Sequence, residues 1–248
     1  MAGSGQPATT QPRRLIIVPA HNEASTIGWL TQQLCTRLTG FDVLVVDDAS
    51  TDGTAERCHR GVILLQLPFN LGIGGAMQTG YQYAARHGYE VAVQVDGDGQ
   101  HRVSDVPALT EPVETGEADM TIGSRFISDL PHNQQPARRL GGVMLSRLIR
   151  TLTGNTVTDC TSGLRAANRC VIEAFADWYP EDYPEPEVTL LLLRGRFTVK
   201  ELPVRMRQRQ GGESSIDLAG GLFYVTKVST SMLLDLFRHP WANKEAVS

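Results

Sequence analysis

The chain alternates between short unbroken apolar runs and longer segments whose apolar residues return every three or four positions. Leu15–Pro19, Val43–Val46, Val62–Leu67 and Val91–Val95 are apolar almost throughout, which fits strands buried on both faces. Between them, Ser25–Leu38, Thr54–Arg60, Gly74–His87 and Asp105–Thr115 carry the helical period. This rhythm, with short connections, predicts an α/β fold with a mostly parallel central sheet flanked by helices. Further along, Met120–Ile122, Gly163–Ala167 and Thr198–Met206 read as strands. Arg138–Leu152, Pro184–Arg194 and Leu218–Arg238 read as helices. No repeat or linker interrupts the pattern. Residues 13–240 are therefore expected to form one domain between a small polar tail at 1–12 and a C-terminal tail at 241–248.

At 248 residues the chain is long enough to bury a sizeable core. A net charge of −4 gives no general attraction to nucleic acid or anionic lipid, so any anion must be bound locally. The cysteines at 35, 58, 160 and 170 show neither a C-x-x-C pair nor a zinc spacing. They read as reduced thiols of a cytoplasmic protein. No run of 18 apolar residues exists, so no bilayer span is expected. Met1–Pro12 lacks the apolar core of a signal peptide and reads as a disordered tail.

Chemistry enters where strands end. Asp96-Gly97-Asp98-Gly99-Gln100-His101 follows the apolar run Val91–Val95 directly. Side chains two residues apart on an extended segment point the same way, so Asp96 and Asp98 are delivered to one rim of the sheet. Paired hard oxygen ligands beside an amide suit Mg²⁺ or Mn²⁺ bridging a diphosphate. Taken alone, the segment reads equally well as a solvated turn. Glu23 and Asp47/Asp48 also follow strands, and ligands of parallel sheets bind beyond the carboxyl ends of the strands. Asp47 and Asp48 point to opposite faces, so at most one meets a given ligand, while Asp52-Gly53 reads as a structural turn. Asn70–Ala76 is a glycine-rich helix start without dinucleotide spacing. Walker A, G-x-S-x-G and H-E-x-x-H motifs are absent.

Together these segments resemble the family 2 glycosyltransferases of the GT-A fold, and within them the dolichyl- and polyprenyl-phosphate sugar transferases. The resemblance covers residues 13 to 240 through VPAHNE (18–23), VVDDASTDGT (45–54), NLGIGGA (70–76), DGDGQH (96–101), GSRF (123–126), DCTSGLR (159–165) and ELPVRMRQRQGGESS (201–215). It implies that Pro19, His21 and Glu23 line a nucleoside pocket, with His21 where relatives often carry tyrosine. Val46 and Asp48 would contact base and ribose. Asp96, Gly97 and Asp98 would form the D-x-D element, with Asp98 and Gln100 on the metal and Asp96 nearer the ribose and the metal shell. Arg125 and Arg209 would bind phosphate charge. Where relatives often have G-x-S-K, this chain has Gly212-Glu213-Ser214-Ser215, without the lysine.

The residues agree with that chemistry. A bound cation and fixed arginines stabilise a departing nucleoside diphosphate without proton transfer. A polyprenyl phosphate acceptor is already anionic, and Arg125, Arg138, Arg139 and Arg165 are candidates to orient it. For a sugar-hydroxyl acceptor, Asp159 is the carboxylate placed to act as base, and it reads equally as holding an arginine or capping its turn. Leu218–Arg238 has few charges and either lies on a membrane as an interfacial helix or packs on the sheet or in a dimer interface. The reading that follows is a metal-dependent transferase moving sugar from a nucleoside diphosphate to a polyprenyl phosphate, with inversion as the resemblance implies. It sits in the cytoplasm, with peripheral membrane contact and no nucleic-acid partner. The competing readings are transfer to a hydroxyl acceptor and a non-catalytic nucleotide-sugar binder.

Overall fold

The computed structural model describes residues 12–127, 136–207 and 218–237. Arg209, the 212–215 motif, the Arg138 side chain and most of both tails lie outside that description.

Alternation along the first strands sets the architecture. In β1 (Arg14–Ala20), Leu15 and Ile17 face one side of the sheet while Ile16 and Val18 face the other. In β2 (Asp42–Asp47), Leu44 and Val46 join the first side, and Val43 and Val45 the second. Both faces are apolar, which is why these runs are unbroken, and both are covered by helices. On the second side lie α1 (Ile27–Arg37) and α4 (Val106–Glu114), through Leu30, Leu34, Val106 and Leu109. On the first side lie α3 (Gly72–Arg86), α5 (Pro136–Thr153), α6 (Arg169–Asp177), α7 (Pro184–Arg194) and α8 (Leu218–Asp235). A short α2 (Thr54–Arg57) follows β2.

The remaining strands are β3 (Ile63–Gln66), β4 (Val91–Gln94), β5 (Met120–Ser124), β6 (Arg165–Asn168) and β7 (Val199–Pro203). The seven-stranded order is β3-β2-β1-β4-β6-β5-β7. All pairings are parallel except those of β6, which runs antiparallel to both β4 and β5. β1, β2 and β4 are parallel neighbours, so their carboxyl ends share one edge. There the ladder continues past the strands, with Asp48 N donating to Ala20 O at 2.8 Å and Val95 N to Ile17 O at 3.0 Å. The loops after Ala20, Asp47 and Val95 therefore leave the sheet side by side.

One helix is new to the sequence reading, and another bears on an alternative it left open. α6 has no counterpart there, although Val171, Ile172, Ala174 and Phe175 give it an apolar stripe and Asn168 caps it by accepting from Val171 N. α8 packs one face into the core through Val228 and Met232 and contacts α5 and α7, so this face of the helix supports the packing alternative. The four cysteines are free, and among the described residues no helix is long and apolar enough to cross a membrane.

Candidate active site

The three loops are laced together before they form a cleft. Asn22 N donates to Ser50 Oγ and Thr51 N to Asn22 Oδ1, each at 2.9 Å. Glu23 N donates to Thr54 Oγ1 at 2.8 Å and Ala24 N to Asp52 Oδ2 at 3.0 Å. Asp52 thus acts as the structural turn residue its sequence context suggested. Thr26, which no motif singled out, donates to Gly97 O at 2.9 Å with Glu23 Oε2 3.1 Å away, tying the first loop to the acidic one.

Between these loops lies an open cleft of about 350 Å³. It is lined by Pro19, His21 and Glu23 from the first loop, Asp48 from the second, Asn70, Gly72 and Ile73 at the start of α3, and Asp96, Gly97 and Asp98. Four sequence signatures far apart in the chain converge here. Asp48 faces the cleft with Oδ1 accepting from Leu71 N at 2.7 Å, whereas Asp47 turns towards Ser50 N and Gln66. His21 Nδ1 lies 2.7 Å from Asp48 O, which requires a proton on Nδ1. Val46 does not line the cleft. Its side chain is wholly buried with Ile17 and Met77, so the expected contact with a base is not made by that side chain.

Asp96 is held from several directions. His101 Nε2 lies 3.0 Å from its Oδ2, and Gln94 Nε2 donates to its Oδ1 at 3.4 Å. Burial opposes its ionisation, but the hydrogen bond and charge of His101, the Gln94 amide and the field of Arg125 outweigh it. The carboxyl is held below its ordinary range. Asp98 Oδ1 accepts from Gln100 N at 3.0 Å, which fixes the carboxylate over its own loop. Among the described residues no three His, Cys, Asp or Glu side chains form a ready metal cage. Two carboxylates on one cleft wall instead match the way Mg²⁺ or Mn²⁺ is held by one or two acids plus substrate phosphate oxygens and water.

Arg125, just beyond β5, is gripped by Asp159. Nε donates to Oδ2 at 2.7 Å, Nη2 to Oδ1 at 2.6 Å, and the Arg125 backbone N to Oδ2 at 3.0 Å. Glu201 in turn accepts from Thr158 N and Asp159 N, both at 2.7 Å, and so fixes the turn that carries Asp159. Of the readings of Asp159, base or holder of an arginine, these contacts match the second. Its side chain is fully buried and both oxygens are committed to Arg125, so it orients the arginine.

Arg165 is also reassigned. It is 1% exposed, and Nε, Nη1 and Nη2 donate to Ser162 O, Thr189 Oγ1 and Cys160 O. A guanidinium so enclosed braces the 160–162 loop against α7 and cannot reach an acceptor phosphate. Arg139 stands exposed on α5. Glu185, in the first turn of α7, was missed. Burial pushes its carboxyl up, Arg165 pulls it down, and the like charge of Asp96 raises it further. Pro184 and Pro186 marked a helix start there, and nothing local marked an acid near Asp96.

The profile of glycosyl transferase family 2 matches residues 15–175, and the chain belongs to that family. Its fold is GT-A, an α/β sheet flanked by helices. A polyprenol monophosphomannose synthase of Mycolicibacterium smegmatis is 30% identical over 236 residues, covering 86% of each chain. An undecaprenyl-phosphate mannosyltransferase of Micrococcus luteus is 31% identical over 220 residues, covering 85% of this chain and 89% of its own. A glucosyl-3-phosphoglycerate synthase of Mycobacterium tuberculosis, solved with Mn²⁺, uridine diphosphate and glucosyl-3-phosphoglycerate, superposes with a TM-score of 0.67 at 21% identity. That superposition covers 91% of this chain and 80% of the other. The protein is a glycosyltransferase.

Proposed function

We propose that this enzyme transfers a sugar from a nucleoside diphosphate sugar to a polyprenyl phosphate, with Mg²⁺ or Mn²⁺ and with inversion at the anomeric carbon. Residues 13–240 act as one catalytic domain in this reading. The observation that carries it is the convergence of His21, Glu23 and Asp48 with Asp96 and Asp98 in one cleft. The first three receive the nucleoside. Asp98, assisted by Asp96 and Gln100, would hold the cation, which supplies charge to offset the departing diphosphate. Arg125, fixed by Asp159, orients phosphate charge beside Asp96, and Arg209 and Arg138 are candidates for the same work. A phosphate oxygen is anionic near neutral pH, so this chemistry asks for orientation rather than a base.

The acceptor class is supported by the two mannosyltransferase relatives, and the metal by the Mn²⁺ and uridine diphosphate of the structural neighbour. Peripheral contact with the cytoplasmic face of a membrane is supported by the exposed side of α5. There Leu140, Val143 and Met144 stand among Arg139, Arg147 and Arg150. Leu234 and Phe237 are exposed near the end of α8. Transfer to a small-molecule hydroxyl acceptor is the second reading, and it is supported by the glucosyl-3-phosphoglycerate of the same structural neighbour.

The test is transfer of radiolabelled sugar from UDP- and GDP-sugars to undecaprenyl phosphate. We expect product that extracts into organic solvent and disappears with EDTA. Full transfer only to a water-soluble acceptor would exclude the lipid, and nucleotide binding without turnover on any acceptor would leave the binder reading.

A further inference from the structure

Trp29 belongs to none of the sequence signatures, yet it touches the acidic loop. It sits on α1, and a Cβ built on Gly99 would lie 3.4 Å from its Cζ3, so the indole packs directly against that glycine. Gly99 has φ +71°, a left-handed conformation that turns the chain between Asp98 and Gln100. On the same indole, the Arg207 guanidinium carbon lies 4.9 Å from the ring centroid, within cation–π range. Arg207 N donates to Gln100 O at 2.8 Å, and Met206 forms an isolated antiparallel bridge with His101. The loop from Asp98 to His101 is therefore clamped by the indole against Gly99 and by residues 206–207 along Gln100 and His101. The clamp reaches Asp98 through one peptide and through the Gln100 N–H that its carboxylate accepts.

We propose that Trp29 and Arg207 are positioning residues for the divalent cation, their stacked pair fixing residues 98–100 so that the Asp98 carboxylate meets a metal–diphosphate. This rests on the metal-dependent reading of the cleft. Neither side chain is among those lining the cleft, so their effect passes through Asp98. Ligand groups must be held to a fraction of an ångström by the residues behind them, and a loop turning on two glycines supplies little stiffness of its own.

Calorimetric titration with UDP and with GDP, each with Mn²⁺ and with EDTA, tests this on the wild type, Trp29→Ala, Trp29→Phe and Arg207→Ala. In Mn²⁺ the dissociation constants of Trp29→Ala and Arg207→Ala are expected to rise about five- to tenfold. Binding in EDTA stays unchanged, and Trp29→Phe restores most of the metal-dependent affinity. If Trp29→Ala does not fold, Trp29→Phe against Arg207→Ala still separates ring packing from the cation. Unchanged affinity in Mn²⁺, or an equal loss with and without metal, overturns the proposal. A wild type that binds neither nucleotide more tightly with Mn²⁺ overturns instead the metal-dependent reading on which it rests.

Discussion

A side-chain carbon at Gly163 would lie 2.4 Å from a carboxylate oxygen of Asp96. The glycine of the DCTSGLR segment is thus the floor on which the first acid of Asp96-Gly97-Asp98 rests. Gly163→Ala forces that carboxylate aside, away from His101 and Gln94. We expect thermal stability within about 1 kcal/mol of wild type, with kcat/KM lowered about 100-fold. Steady-state kinetics beside a melting curve check this, and an active Gly163→Ala enzyme would show that the position of Asp96 is unimportant.

The Arg125–Asp159 fork makes two separable predictions. Arg125→Lys keeps the charge but loses the planar fork, and transfer should fall about 100-fold with little change in stability. Asp159→Ala leaves a largely enclosed guanidinium without its acid and should cost about 3 kcal/mol in denaturant titration. Loss of stability without loss of activity in the second variant would mean that Arg125 is not held for catalysis.

Glu185→Gln tests whether this acid takes part in the transfer. A polyprenyl phosphate needs no base, so the variant should retain transfer within about fivefold of wild type, whereas removing a general base costs at least 100-fold, in round numbers about two orders. The rate with undecaprenyl phosphate checks this, and a fall of the larger size would show that transfer to the phosphate itself depends on Glu185.

Between α7 and α8, Glu187 is pushed up to about 8 by burial first, with Ser231 opposing and the neighbouring Asp235 adding to the rise. The folded protein keeps this proton while the unfolded chain loses it near its ordinary value of 4.5. Stability from this group is therefore full below that value and is lost as pH rises through about 8. Melting temperature should fall across this window, and Glu187→Gln should flatten the decline. An identical slope in the variant would assign the pH dependence elsewhere.

Much of this was legible in the sequence because it is local. Apolar runs such as Leu15–Pro19 gave the strands, and acids placed directly after them had to fall on one edge once β1, β2 and β4 were parallel. The antiparallel course of β6 was not legible, since pairing direction depends on partners far away in the chain. α6 was legible but masked: its apolar stripe begins immediately after β6, and Asn168 reads equally as a turn or a cap. Arg165 and Asp159 show the remaining limit. A charged residue that braces a loop and one that faces a substrate are the same letter, and only burial and hydrogen-bond partners separate them.

The central claim is that Asp98 holds a divalent cation against the donor diphosphate. Asp98→Asn keeps the shape of the side chain and the acceptor for Gln100 N while removing the charge. Calorimetry with UDP and GDP should show the Mn²⁺-dependent gain in affinity of the wild type and its disappearance in Asp98→Asn, with metal-free binding preserved. An undiminished Mn²⁺ effect in that variant would contradict the account.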